Sequence, residues 1–195
     1  MSPATPGSGT HTTPAASDRG MHTTPSAPDR GTHTAPAGPR TVDEELRELA
    51  AQEERLVLNA FSNDDAWRLG SLLVELAQER GAAVTIGIRR GAQQLFHCAL
   101  PGTSADNDAW IARKSAVVER YAASSYLVGA GFRAKGRTFE ESSRLDPDRY
   151  AAHGGAFPIR LRGTGVIGVV AVSGLPQADD HALVVEALER HLATG

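Results

Sequence analysis

The stretch Phe157-Pro158-Ile159-Arg160-Leu161-Arg162-Gly163-Thr164-Gly165-Val166-Ile167-Gly168-Val169-Val170-Ala171-Val172-Ser173 decides the fold. Phe157, Ile159 and Leu161 alternate with other residues at the strand period of two, Arg162 to Gly165 reads as a turn, and Val166 to Val172 is an almost continuous β-branched run. The pattern predicts a hairpin whose second arm is a buried central strand. Gly163, Gly165 and Gly168 match the dinucleotide fingerprint by letter. That fingerprint needs a helix N-terminus directly after the glycines to hold the pyrophosphate, and here a strand follows, so nucleotide binding is rejected. Val172-Ser173-Gly174 lacks the glycine that a nucleophile elbow places two residues before the serine, because Ala171 stands there. Without that motif, His153-Gly154-Gly155 has no claim to be an oxyanion loop.

Working outward, residues 177–193 predict a closing helix with Leu183, Val184, Ala187, Leu188 and Leu192 facing inward. Asp179 and Asp180 fall in its first turn, where the helix dipole favours carboxylates. Residues 136–155 show no periodicity and read as a long loop. Before them, residues 108–134 carry two helical segments parted near Ser124-Ser125, the first capped from Asp106-Asn107-Asp108 and bearing Trp110, Lys114, Val117 or Val118, and Tyr121 on one face. Val84, Ile86 and Ile88 alternate, Arg90-Gly91 turns, and Leu95 to Leu100 forms the second arm of another hairpin. Two helices come first, at about 42–59 with a Thr41/Glu44 capping box, and from Ser62 to Gly81. Two hairpins separated by helices predict an α+β fold: one domain over residues 41–195, with an antiparallel β-sheet flanked by helices.

Residues 1–40 belong to another class of sequence. They hold 7 of the 11 prolines and no Leu, Ile, Val, Phe, Trp or Tyr. His11, His22 and His33 mark a repeat of 11 residues, in which Asp18-Arg19-Gly20 recurs as Asp29-Arg30-Gly31. With no apolar face to stack, the repeat predicts a disordered tail.

A formal net charge of -3 with 20 Lys+Arg against 23 Asp+Glu argues against a nucleic-acid partner. The longest nearly apolar run, 165–175, is far short of the roughly 20 residues of a membrane helix, so no membrane partner is expected. Cys98 is the one cysteine, which excludes an intrachain disulfide. A cytoplasmic location is the expectation.

The candidate site residues are those at the ends of elements. His153, Gly154 and Gly155 approach the second hairpin, Trp110, Arg113 and Lys114 share one helix, and Asp180 and His181 open the last helix. Asp180 and His181 point about 100° apart on a helix, so each needs a partner elsewhere. Arg113, three residues after Trp110, reads either as a cation–π partner of the indole or as part of an anion clamp with Lys114. The histidines show no metal-site spacing, so no metal is expected, and no catalytic residue is assigned.

Together these stretches resemble one family. Gly154-Gly155-Ala156-Phe157-Pro158-Ile159, then Gly165-Val166-Ile167-Gly168, then Val172-Ser173-Gly174-Leu175 with Asp180 beyond, resemble the strand-turn-strand-helix signature of the GlcG/HbpS superfamily, often labelled haem-degrading domain. Asp106-Asn107-Asp108-Ala109-Trp110-Ile111-Ala112-Arg113-Lys114, Ser124-Ser125-Tyr126 and Asp180-His181 are similar to a narrower branch of it. The match runs from about Leu56 to Leu192. The resemblance implies an antiparallel sheet flanked by helices, a homo-oligomer and, by analogy, a haem or tetrapyrrole ligand. The first functional reading is therefore a small-ligand-binding protein whose pocket lies among the three groups of candidate residues. The alternatives are a non-catalytic oligomeric scaffold that uses Trp110, Arg113 and the Gly-Gly loop as contacts, and a small-metabolite enzyme using His153 or Asp180 in acid–base chemistry.

Overall fold

The computed structural model describes residues 41–194. The expected tail, residues 1–40, lies outside the described residues. In chain order the elements are α1 (Val42–Arg55), β1 (Val57–Leu58), α2 (Asn63–Glu79), β2 (Thr85–Arg90), β3 (Gln93–Ala99), α3 (Ala105–Tyr121), α4 (Ser125–Arg133), α5 (Phe139–Ser143), β4 (Ala156–Leu161), β5 (Gly165–Ser173) and α6 (Gln177–Thr194). The five strands form one sheet in the order β1-β4-β5-β2-β3. Both hairpins are antiparallel and β2 pairs antiparallel with β5, so the α+β expectation holds.

The β-branched run of β5 is explained by its position at the centre of the sheet with helices over both faces. Val170 and Val172 point into a core with Leu69, Leu73 and Leu188 from α2 and α6. The intervening Val169 and Ala171 meet Val118 of α3 on the opposite face. A strand buried on both sides shows no polar alternation. Pro158 lies in β4, which β1 meets only at Arg160 and Leu161; the outer side at Pro158 lacks a β1 partner, a position that tolerates the missing N–H.

Three boundaries differ from the sequence reading. The first helix ends at Arg55, and Val57–Leu58 forms β1, parallel to β4, the one parallel pair among the described strands. Leu56 and Leu58 enter the core two residues apart, which is strand spacing, and so the chain leaves the helix there. The N-cap of α3 is Ser104, boxed with Asn107, so Asp106, Asn107 and Asp108 form the first turn instead of the cap. The loop at 136–155 contains α5, a single turn that Thr138 caps and that buries Phe139 against Val117 and Ala152; one turn is too short to show a period. Tyr121, read as sharing one face of α3 with Trp110, Lys114 and Val117 or Val118, is 38% exposed.

Candidate functional site

Lys114 of α3 is 2% exposed, beneath the junction of β5, the His153-Gly154-Gly155 loop and α6. Its Nζ donates to Gly154 O at 3.0 Å, to Asp180 Oδ2 at 3.0 Å and to Val172 O. Three donors thus meet three acceptors, and the ammonium has none left. Asp180, also buried, accepts at its other oxygen from Leu175 N at 3.0 Å. Burial pushes the Lys114 ammonium down from its ordinary range and the Asp180 carboxyl up, and their mutual attraction opposes both shifts.

The two glycines make this arrangement sterically possible. A Cβ on Gly155, whose φ is +114°, would stand 2.5 Å from Lys114 Nζ and 2.5 Å from Val172 O. One on Gly154 would collide with Gln177 O at 1.9 Å. The Gly-Gly step is the space that the lysine and the start of α6 occupy.

Above this floor, His153 stands edge-on to Trp110, with ring centroids 5.3 Å apart. Burial, the largest influence, lowers the His153 pKa; Glu140 opposes this and Lys114, Arg133 and Arg113 reinforce it. Nδ1 of His153 is buried without a hydrogen-bond partner among the described residues. Arg113 lies over the Trp110 ring, 4.0 Å from its centroid, and donates from Nε to Ala109 O. The cation–π reading of this pair therefore matches the geometry.

A cavity of about 280 Å³ joins these groups, and Trp110, Lys114, His153, Gly154 and Asp180 line it. Five of the eight candidate residues thus converge from three remote segments. Gly155 lies against Lys114 behind them. Arg113 engages the indole, with Asp106 at 4.0 Å as its ion-pair partner. His181 is not brought to this cavity. The helical turn between neighbours sends it to the opposite side, where Nε2 meets Gln52 Oε1 at 2.7 Å.

Among the polar lining residues that sequence reasoning missed are Asn107 and Ser173. Asn107 Oδ1 caps α3 through Ser104 N, while its Nδ2 donates to Ser173 O at 3.3 Å and so ties α3 to the end of β5. Both residues stood inside the quoted motifs, but a cap and a strand end gave no sign of a cavity wall.

A family model described as "Haem degrading protein HbpS-like" matches residues 61–189. The chain belongs to this HbpS-like family. A UPF0303 protein of Streptomyces coelicolor is 70% identical over 145 residues, 74% of this chain and 92% of the relative. A UPF0303 protein of Rhizobium etli is 49% identical over 153 residues, covering 78% and 93%. Among solved structures, the Ybr137w protein superposes with a TM-score of 0.70 at 33% identity, covering 76% of this chain and 88% of that one. The PduOC:heme complex superposes at 0.56 and 19% identity, covering 67% and 94%, which shows a shared fold.

The family description implies haem, and the groups lining this cavity of the HbpS-like chain limit that ligand. The cavity of about 280 Å³ lies just below the range of roughly 300–1,000 Å³ for drug-sized ligands, and a tetrapyrrole with two propionates is at the large end of such ligands. Lys114 has no donor left for a propionate, and Asp106 and Asp180 add carboxylates to the lining. The residues of this cavity do not fit a haem held by one chain.

Proposed function

We propose that this chain binds a small hydrogen-bonding molecule in the cavity between Trp110, His153 and the Lys114–Asp180 pair. The observation that carries the reading is convergence: α3, the Gly-Gly loop and the start of α6 contribute to one hollow with a buried ion pair as its floor. The indole offers a flat apolar wall, and a neutral imidazole offers one donor and one acceptor. Gly154, Asn107 and Ser173 add polar edges, the composition of a wall that orients a compact polar ligand.

The test is mass spectrometry of what the natively purified protein carries, beside His153→Ala and Trp110→Ala. A small compound retained by the wild type and depleted in both variants is the expected result. Identical extracts from all three proteins would remove the ligand role. Hemin titration belongs in the same series: a saturable Soret shift lost in His153→Ala would replace the compact ligand with a tetrapyrrole.

The homo-oligomer implied by the family resemblance is best placed at Trp67. This residue is 66% exposed and packs edge-on to Phe96 of β3, with centroids 5.8 Å apart. Exposed tryptophans are characteristic anchors of subunit contacts. Trp110, the contact favoured by the scaffold reading, is half-buried beneath Arg113. Trp67→Ser should therefore lower the mass seen in light scattering, whereas an unchanged mass removes Trp67 from the interface.

A further inference from the structure

On the far side of α6 lies a larger cavity, about 750 Å³, between α1, the start of α4 and α6. Its floor is apolar, with Leu49, Ala182 and Val185, and His181 lines it beside Tyr126. Its described rim carries four carboxylates, Glu45, Glu48, Glu186 and Glu189, against one guanidinium, Arg55. Arg55 is already engaged with Glu48 and Glu189. Glu45 pairs with Arg133, and Glu186 with Arg80 and Arg190. A carboxylate has about four lone-pair sites, so these arginines leave acceptor capacity at the rim.

The second observation is His181, which is 3% exposed. Gln52 Nε2 donates to Glu48 Oε1 at 3.3 Å, so the amide oxygen faces His181 and accepts from its Nε2–H at 2.7 Å. That tautomer leaves Nδ1 as a bare lone pair, and Nδ1 has no partner among the described residues. The rim thus presents acceptors above an apolar floor, and the one cation among the described lining residues is occupied. An anion finds no free guanidinium among these residues, whereas a donor with an apolar body meets the apolar floor and the remaining acceptor sites of the rim.

We propose that this groove is a second binding site, for an amphipathic cation: an alkyl or aryl amine whose apolar body lies on Leu49, Ala182 and Val185 and whose ammonium meets the rim carboxylates. The volume falls within the usual range for sites of small organic ligands. The site is separate from the first cavity, and its ligand is of the opposite polarity to a haem bearing propionates.

The test is calorimetric titration of the full-length protein with nonylammonium, nonanoate and nonanol below their micellar concentrations. Saturable binding of the amine, with nonanoate at least tenfold weaker, is expected. Ala182→Trp fills the groove from an exposed position of α6 and should abolish binding, while His153→Ala should leave it unchanged. Glu186→Gln with Glu189→Gln should weaken the amine by about two- to fivefold per charge removed. If circular dichroism shows Ala182→Trp misfolded, Ala178→Trp, also exposed in the groove, takes its place. Equal affinity for the three probes, or binding indifferent to the Trp variants, overturns the proposal. So does a protein that takes up no amine but changes mass with Ala182→Trp, since another copy of the chain would then cover the groove.

Discussion

Asp180 and His181 are neighbours in the first turn of α6, equally buried at 3% exposure, and they face opposite halves of the molecule. Asp180 turns toward the Gly-Gly loop, where Lys114 supplies an opposite charge and the strand end supplies backbone donors. His181 turns toward α1, where it finds an amide and two aromatic rings, and burial alone pushes its pKa down to about 4. The difference teaches that burial does not set protonation by itself. A buried group stays charged where a partner of opposite sign and enough hydrogen bonds replace water, and it becomes neutral where they do not.

The comparison breaks most severely if one member of the ion pair is removed. Lys114→Met leaves the Asp180 carboxylate buried and uncompensated, so the expected loss is about 3–5 kcal/mol of unfolding free energy in urea denaturation. Asp180→Asn should cost less, because the amide still accepts from Leu175 N. A wild-type-like midpoint for Lys114→Met would show that the pair contributes no net stability.

On the His181 side, acid is the probe. The folded pKa of about 4 lies below the ordinary 6.5, so below pH 6.5 the unfolded chain binds the proton that the folded chain refuses. The contribution of His181 is complete above pH 6.5, falls as the pH drops toward 4, and amounts to about 3 kcal/mol over that window. His181→Phe should flatten this part of the stability profile relative to the wild type, and parallel profiles would contradict the assignment.

A smaller effect is expected from Gly155→Ala. The new methyl meets Lys114 Nζ and Val172 O at 2.5 Å and holds a positive φ, a combination expected to cost about 1–3 kcal/mol. Unfolding in the presence and absence of Lys114→Met tells whether the two losses overlap, as a shared contact requires. Smallest of all is Arg113→Ala, which removes the guanidinium from the Trp110 ring at a cost of about 0.5–1 kcal/mol, with a change in Trp110 fluorescence as the optical check.

Much of the architecture was legible because it rests on local periodicity. The alternation of Phe157, Ile159 and Leu161 and the unbroken run in β5 marked the second hairpin, and Ser62 and Thr41 marked two helix starts through their capping chemistry. β1 was missed because two residues cannot display a period and its pairing with β4 spans about a hundred positions. The site was legible in composition but not in role. Lys114 and Arg113 sit side by side in the sequence and invited a shared clamp, yet one is buried with all its donors engaged and the other lies on an indole.

From the sequence alone follow the two hairpins, the helices between them, the central place of β5 and the divergence of Asp180 and His181 by about 100°, since backbone periodicity and the helical step are properties of neighbouring residues. Tertiary structure alone decided that Lys114 is saturated, that Gly154 and Gly155 make room for it, and that His181 is neutral beside an acidic groove. Charge state and hydrogen-bond satisfaction depend on which distant atoms replace water, and those atoms are named only when the chain has closed.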